Sequence, residues 1–262
     1  MRRRDPPRST LLNVVPFLAL DVGNTTVKAA VWDGAWSEVT RFPSDDASVE
    51  VWTARLGKLA GEVGASGLCS VVPRLTPPLV DVLTALTGTT PLVVSVDLPL
   101  PFRMAYATPH TLGTDRLAAA VAAHALAQGG PVIALDAGTT LTTEVVSAEP
   151  AYLGGAILPG PDLLRRSLAR GTGQLPEVPW PDAVLPVGDS SVGAIQAGLG
   201  VLVVDGVAGL LHRTQAALSG EALVIATGGW AGWLAERIPE VDRVEPTLVL
   251  DGVRILSGSA DR

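Results

Sequence analysis

Two segments of this 262-residue chain set a carboxylate, a glycine and hydroxyl side chains within one turn of each other. The first is Asp21-Val22-Gly23-Asn24-Thr25-Thr26-Val27-Lys28 and the second Asp136-Ala137-Gly138-Thr139-Thr140. A glycine lets the backbone come close to an anion, and successive amides can form a concavity for phosphate. Asn24 and the threonines add donors and Lys28 a positive charge. Asp21 can hold Mg²⁺ through water, since that cation prefers oxygen ligands and keeps most of its own waters. One such segment is equally an ordinary Gly-Asn hairpin. Two, each opening half of a repeated pattern, suit a site that closes on a triphosphate from both sides, as phosphoryl transfer requires.

Three further segments have the residue types to complete such a site. Gly113-Thr114-Asp115-Arg116 stands at the start of a long alanine-rich helix. An aspartate in a first turn is favoured by the helix dipole whatever its function, and the same field keeps it ionised and able to accept a hydroxyl proton. Arg116 can clamp a carboxylate through two parallel hydrogen bonds. Thr227-Gly228-Gly229 follows an apolar run at the strand end where open α/β sheets place ligands, so a nucleoside could lie against its backbone. Gly154–Gly160 reads as a loop where backbone approaches something closely, or as a tight packing corner. Trp230 and Trp233 suit core packing better than adenine stacking. The three histidines have no metal-ligand spacing.

The elements that must position these residues form one pattern written twice. In the first half, strands are expected at Phe17–Leu20, Val27–Trp32, Trp36–Phe42, Leu68–Val72 and Leu92–Val96, with helices at Ser48–Gly61 and Pro77–Leu86. The helix Leu112–Gln128 closes that half. Strands at Val132–Leu135, Leu141–Ser147 and Tyr152–Leu158 then restart the series. Helices at Asp162–Arg170 and Ser191–Leu218, a strand at Leu223–Ala226 and helices at Gly232–Arg237 and Thr247–Ser257 follow. Asp21 and Asp136 occupy equivalent places. This is a duplicated mixed α/β chain, with a basic, disordered extension at 1–13, one lobe at 14–128 and a second at 129–262.

Composition narrows the function. A hydrophobic content of 47% with 17% charged residues supports sizeable cores. The net charge of −7 gives no support for binding a nucleic-acid backbone. It also obliges any phosphate site to depend on local amides, lysine and metal ions. Cys69 is the only cysteine, so no intrachain disulfide exists, and a reducing compartment fits. No uninterrupted apolar run reaches the ~18 residues of a membrane span. A cytoplasmic protein without membrane or nucleic-acid partners is expected.

Taken together, Asp21–Lys28, Tyr106 with Pro109 and Gly113–Arg116, Asp136–Thr139, Gly154–Gly160, Gly188–Gly198 and Thr227–Gly229 resemble the type III pantothenate kinases. These belong to the actin, sugar-kinase and heat-shock-ATPase superfamily, and the likeness runs from Phe17 to about Gly258. The resemblance implies a duplicated ribonuclease H-like, two-lobed fold and ATP-dependent phosphorylation of pantothenate. It implies that Asp21–Lys28 and Thr139 bind ATP, together with Gly228 and Gly229, and that Asp136 helps hold K⁺ or NH₄⁺. It further implies that Tyr106, Gly113, Thr114, Asp115, Arg116 and Ser191 meet pantothenate, with Asp115 as proton acceptor, in a homodimer. Ser191 stands where the family has threonine, Thr108 where asparagine is common and Gly193 where glutamate is usual. A kinase of another small hydroxylated substrate, a weak or inactive regulatory homologue and an actin-like polymer are the rival readings. Intact Asp21, Asp115 and Asp136 argue against decay.

Overall fold

The computed structural model describes residues 15–45, 48–61, 63–218 and 220–258, so the extension expected at 1–13 lies outside the described residues. Its first sheet contains β1 (Phe17–Val22), β2 (Thr26–Trp32), β3 (Thr40–Pro43), β4 (Ala65–Ser70) and β5 (Leu92–Val93), in the order β3-β2-β1-β4-β5. The second contains β6 (Arg103–Met104), β7 (Val132–Ala137), β8 (Thr140–Val146), β9 (Ala151–Gly154), β10 (Ile157–Pro159), β11 (Leu223–Thr227) and β12 (Arg243–Val244). Its order is β12-β11-β7-β8-β9-β6, with β10 also paired to β8. Read outward from β1 and from β7, both sheets have antiparallel neighbours on one side and parallel ones on the other, except that the added edge strand β6 runs parallel to β9. The repeated pattern in the sequence is therefore a repeated topology.

The two sheets face each other across two helices, α3 (Thr114–Leu126) and α7 (Leu248–Leu256). Residues Leu117 to Ala123 of α3 are all buried, as a helix must be when packed on every side. Strand β1 alternates accordingly: Phe17 and Ala19 join α3 and α7 in the central core, while Leu18, Leu20 and Val22 join the outer core under α1 (Val49–Ala60) and α2 (Thr76–Thr87). Strand β7 repeats this, with Val132 and Ala134 inward and Ile133, Leu135 and Ala137 outward under α5 (Ser191–Ala217). Strands covered on both faces read as near-continuous apolar runs, which is why these were plain in the sequence.

Several expectations need correction. The third strand is shorter than Trp36–Phe42, because Trp36 makes only an isolated bridge to Trp32 and gives its indole N–H to Asp251 of α7 at 3.0 Å. The expected strand Tyr152–Leu158 is broken into β9 and β10 at Gly154, whose φ of 99° no extended strand can hold. Strand β6 was not expected, and it carries a piece of the first half into the second sheet. Helix α5 is long and apolar enough, by length and composition, to cross a membrane, although Gln196 and Asp205 interrupt its apolar run. Its Val203, Val207 and Leu211 pack into the second sheet's outer core, and its Ile195 and Leu199 pack with Val178.

The central layer is tight where α7 meets α3. A β-carbon at Gly252 would lie 1.9 Å from the Ala118 carbonyl oxygen, so any side chain there must push the helices apart. Gly252→Ala should cost ~1–3 kcal/mol, the range for overpacking a filled core, and lower the melting temperature by several degrees. A variant that melts with the parent would show that this contact can yield.

Candidate active site

Strand parity brings the two motif aspartates together. Asp21 shares the inward face of β1 with Phe17 and Ala19, and Asp136 shares that of β7 with Val132 and Ala134. Both stand near the C-terminal ends of their strands, where the turns Gly23–Thr25 and Gly138–Thr139 follow. Asn24, Thr25 and Thr139 are exposed in these turns, which are closed by Gly23 donating to the Thr26 carbonyl at 3.1 Å and Gly138 to that of Thr140 at 3.0 Å. Register sets Lys28 across from Asp21 on β2, and its ammonium lies 2.9 Å from Asp21 Oδ2. Cys69, across from Asp21 on β4, gives its buried thiol to Asp21 Oδ1 at 3.6 Å.

Helix α3 points its N-terminus into the same crevice. The Thr114 hydroxyl accepts from Ser70 N at 2.8 Å and donates to Ser70 O at 3.0 Å, which ties the helix start to the end of β4. Thr114 thus serves as an anchor, with its hydroxyl engaged inside the protein. Asp115 Oδ1 folds back to accept from the Arg116 amide at 2.7 Å. Arg116 reaches the other way, and its Nε donates to Glu144 Oε1 at 2.6 Å. Tyr106 packs edge-on against Tyr152 at 5.9 Å, directly over Gly154, where a β-carbon would come within 3.0 Å of its ring.

The third glycine turn completes the crevice. Gly228 has φ 92°, and a β-carbon there would fall 2.5 Å from Asp136 Oδ1, so only glycine fits. Beside exposed Gly229, Trp230 N donates to the Ala137 carbonyl at 3.0 Å and links this turn to the one at Gly138–Thr139. Trp230 and Trp233 pack edge-on with Trp180 and with each other, as expected of core residues. Ser191 lies elsewhere. It is exposed at the start of α5, in a groove of about 410 Å³ shared with Leu168, Leu175, Ile195, Leu199 and Leu202. Among the described residues no hydrogen bond or ion pair joins it to Asp115, Arg116 or Tyr106. Thr108, on a loop, bonds Thr111, and the Gly193 amide donates to the N-cap hydroxyl of Ser190 at 3.1 Å.

Charge is concentrated in this crevice. Burial raises the Asp136 carboxyl to about 6, with Lys28 pulling it down and Asp21 and Asp115 pushing it up. Burial and the charge of Asp21 also raise Asp115, against the Arg116 amide and guanidinium. Lys28 is raised although burial alone would lower it, because Asp21 and Asp136 hold its charge. Three carboxylates beside one ammonium fit added cations. Asp21 and Asp136, facing each other across the crevice floor, are the residues that can hold them. The described residues contain no cluster of three or more His, Cys, Asp or Glu of metal-binding geometry, so a metal would have to be shared with a ligand or water.

Residues 17–213 match the model of the type III pantothenate kinase family. The chain belongs to that family. It is 34% identical to the type III pantothenate kinase of Moorella thermoacetica over 92% of this chain and 98% of that one. It is likewise 34% identical to that of Chlorobaculum parvum over 95% and 97%. Among solved structures, a candidate Baf family transcriptional activator from Campylobacter jejuni aligns with TM-score 0.58 at 18% identity, covering 93% and 98% of the two chains. A candidate N-acetylmannosamine kinase from Listeria monocytogenes aligns at 0.55 and 13%, covering 94% and 100%. These last two support the fold alone, which is the two-sheet kinase architecture expected from the sequence.

The raised Asp136 gives a stability test. The folded protein holds this proton more tightly than the unfolded chain does. The site's contribution is therefore full below about pH 3.8 and lost as pH rises through about 6. The displacement is worth at most about 3 kcal/mol. Asp136→Asn cannot titrate, so in K⁺-free acetate, Mes and Tris buffers its melting temperature should gain on the parent's between pH 4.5 and pH 7.5. A constant difference across that range would remove the buried-carboxylate account.

Proposed function

We propose that this chain transfers the γ-phosphoryl group of ATP to the primary hydroxyl of pantothenate, giving 4′-phosphopantothenate, the first step toward coenzyme A. The observation that carries the reading is the convergence of Asp21, Asp136 and Asp115 on one crevice, with Arg116 one residue away from the acceptor aspartate. In this reading Asp21–Lys28 and Thr139 cradle the phosphates, and Gly228 and Gly229 give the nucleoside a flat backbone surface. Arg116 takes the substrate carboxylate, with Tyr106 beside it. The hydroxyl oxygen bonds to the γ-phosphorus as the bond to the ADP oxygen breaks, and its proton passes to Asp115.

Phosphoryl transfer has a loose transition state, so positioning and charge neutralisation outweigh the base. Mg²⁺ near Asp21 and a monovalent cation near Asp136, when bound, supply the positive charge that an acidic protein lacks. Lys28 adds its own. The raised basicity of Asp115 makes it a better late proton acceptor than an ordinary aspartate.

The same reading takes 14–128 and 129–262 as lobes that exchange β6 and α7 and close over the nucleotide, in a cytoplasmic homodimer. Exposed Ser191 in its apolar groove supports the dimer. With no hydrogen bond or ion pair to Asp115, Arg116 or Tyr106, in this reading it serves a second copy's site. The −7 charge is the support for excluding nucleic acid.

Two measurements test the reading. Pantothenate-dependent ATP turnover should require Mg²⁺ and rise several-fold when K⁺ or NH₄⁺ replaces Na⁺; equal rates in the two salts would remove the monovalent site. Asp115→Asn keeps size and most hydrogen bonding but not the proton acceptor. Turnover should fall ~10²-fold, near the lower end for general-base catalysis, with ATP binding retained. A variant that binds ATP, melts like the parent and turns over pantothenate at the parent's rate would leave Asp115 as a helix-start residue only.

A further inference from the structure

Glu144 is a charged residue in a strand whose neighbours are threonine and apolar residues, and it is 1% exposed. Its register partner across β7 is Ala134, on the inward face, so it projects into the central layer two residues deeper than Asp136. Both of its oxygens are engaged. Oε1 accepts from Arg116 Nε at 2.6 Å and Oε2 from the Tyr152 hydroxyl at 2.5 Å. Thr142, on the same face of β8, adds a further hydrogen bond to the carboxylate. Tyr152 is itself clamped between Phe102, stacked at 5.9 Å, and Tyr106.

A buried ion pair is poor value as a stabilising device, because desolvation offsets most of the attraction. Its geometry is more informative. A guanidinium is a planar fork of five N–H donors. Spending Nε on a carboxylate that cannot move fixes the plane of the fork and leaves the Nη edge for another partner. The Tyr106 hydroxyl also helps hold the guanidinium charged. The side chains of Arg116 and Glu144 are 10% and 1% exposed, so neither has much room to turn.

We propose that Glu144, backed by Tyr152, is the positioning residue that fixes Arg116 for the acceptor's carboxylate. The inference rests on the reading of Arg116 given above and extends it to residues outside the glycine motifs. Glu144 touches neither substrate nor nucleotide in this account. It acts only through the guanidinium, and so on the binding of pantothenate and not of ATP.

The test compares Glu144→Ala, Glu144→Gln and Tyr152→Phe with the parent, in full-length enzyme with Mg²⁺ and K⁺. Glu144→Ala should raise KM for pantothenate at least tenfold while KM for ATP stays within twofold. Glu144→Gln keeps an oxygen to accept from Nε and should recover most of that loss. A merely structural role predicts instead a lower melting temperature with both KM values moving together, and no rescue by glutamine. Either of those results, or an unchanged KM for pantothenate, overturns the proposal. Should Glu144→Ala fail to fold, Tyr152→Phe decides, since it deletes only the hydroxyl behind the carboxylate. A threefold or larger rise in KM for pantothenate alone supports positioning, and no rise overturns it. A parent enzyme that leaves pantothenate untouched sinks the functional reading and this inference with it. An active parent beside unaffected variants sinks this inference alone.

Discussion

Helix α3 has no free side, and much of the molecule follows from that. Its residues from Leu117 to Ala123 are buried against β4 of one sheet, β7 and β8 of the other, and α7. Five of those seven are alanines, which is what two sheets can accommodate when a helix must fit between them. Small side chains bring the inner faces of β1 and β7 close enough for their terminal aspartates to feel each other's charge. The same helix delivers Asp115 and Arg116 to the crevice, because Thr114 fastens its first turn to Ser70. A bulkier helix would separate the sheets and dissolve the cluster without touching a single reactive group.

The cluster so formed is electrostatically unfinished. Asp21, Asp115 and Asp136 face one ammonium, and burial makes each additional negative charge harder to hold. The protein meets this partly by binding protons more tightly at Asp115 and Asp136, and partly by the Lys28 ion pair. What remains is an excess of negative charge that suits a cation brought in with a ligand. A deeper polar layer is, by contrast, held from within: Glu144 accepts from Arg116, Tyr152 and Thr142, so this part of the site is set before any ligand arrives.

Much of this was legible in the sequence, for identifiable reasons. Asp21 and Asp136 stood out because each ends an apolar strand and precedes a glycine turn, and strand parity then required both to face the same layer. The duplication was visible in the order of elements and reappears in the order of strands. Trp230 and Trp233 read correctly as packing residues. Glu144 was passed over inside an expected strand, although a glutamate alternating with apolar residues on an inward face must find a partner. That requirement was the available signal. The break at Gly154 was half legible: Gly154–Gly160 read as a loop or a packing corner, yet the expected strand was carried through Gly154-Gly155 to Leu158, and the positive φ of Gly154 decides for the corner. Ser191 was identified by motif, but no motif can say whether a residue serves its own chain's site or another's.

The return of α7 to the first half has a consequence for how the protein is made. Residues 248–256 pack on β1 and α3, which emerge from the ribosome long before them. Until that helix has been synthesised, part of the inward face of the first sheet and one flank of an alanine-rich helix stay uncovered. Early strands therefore cannot bury their inner side as they appear, and the nascent chain carries an open apolar layer through most of its synthesis. Its dependence on chaperones should be concentrated in that interval.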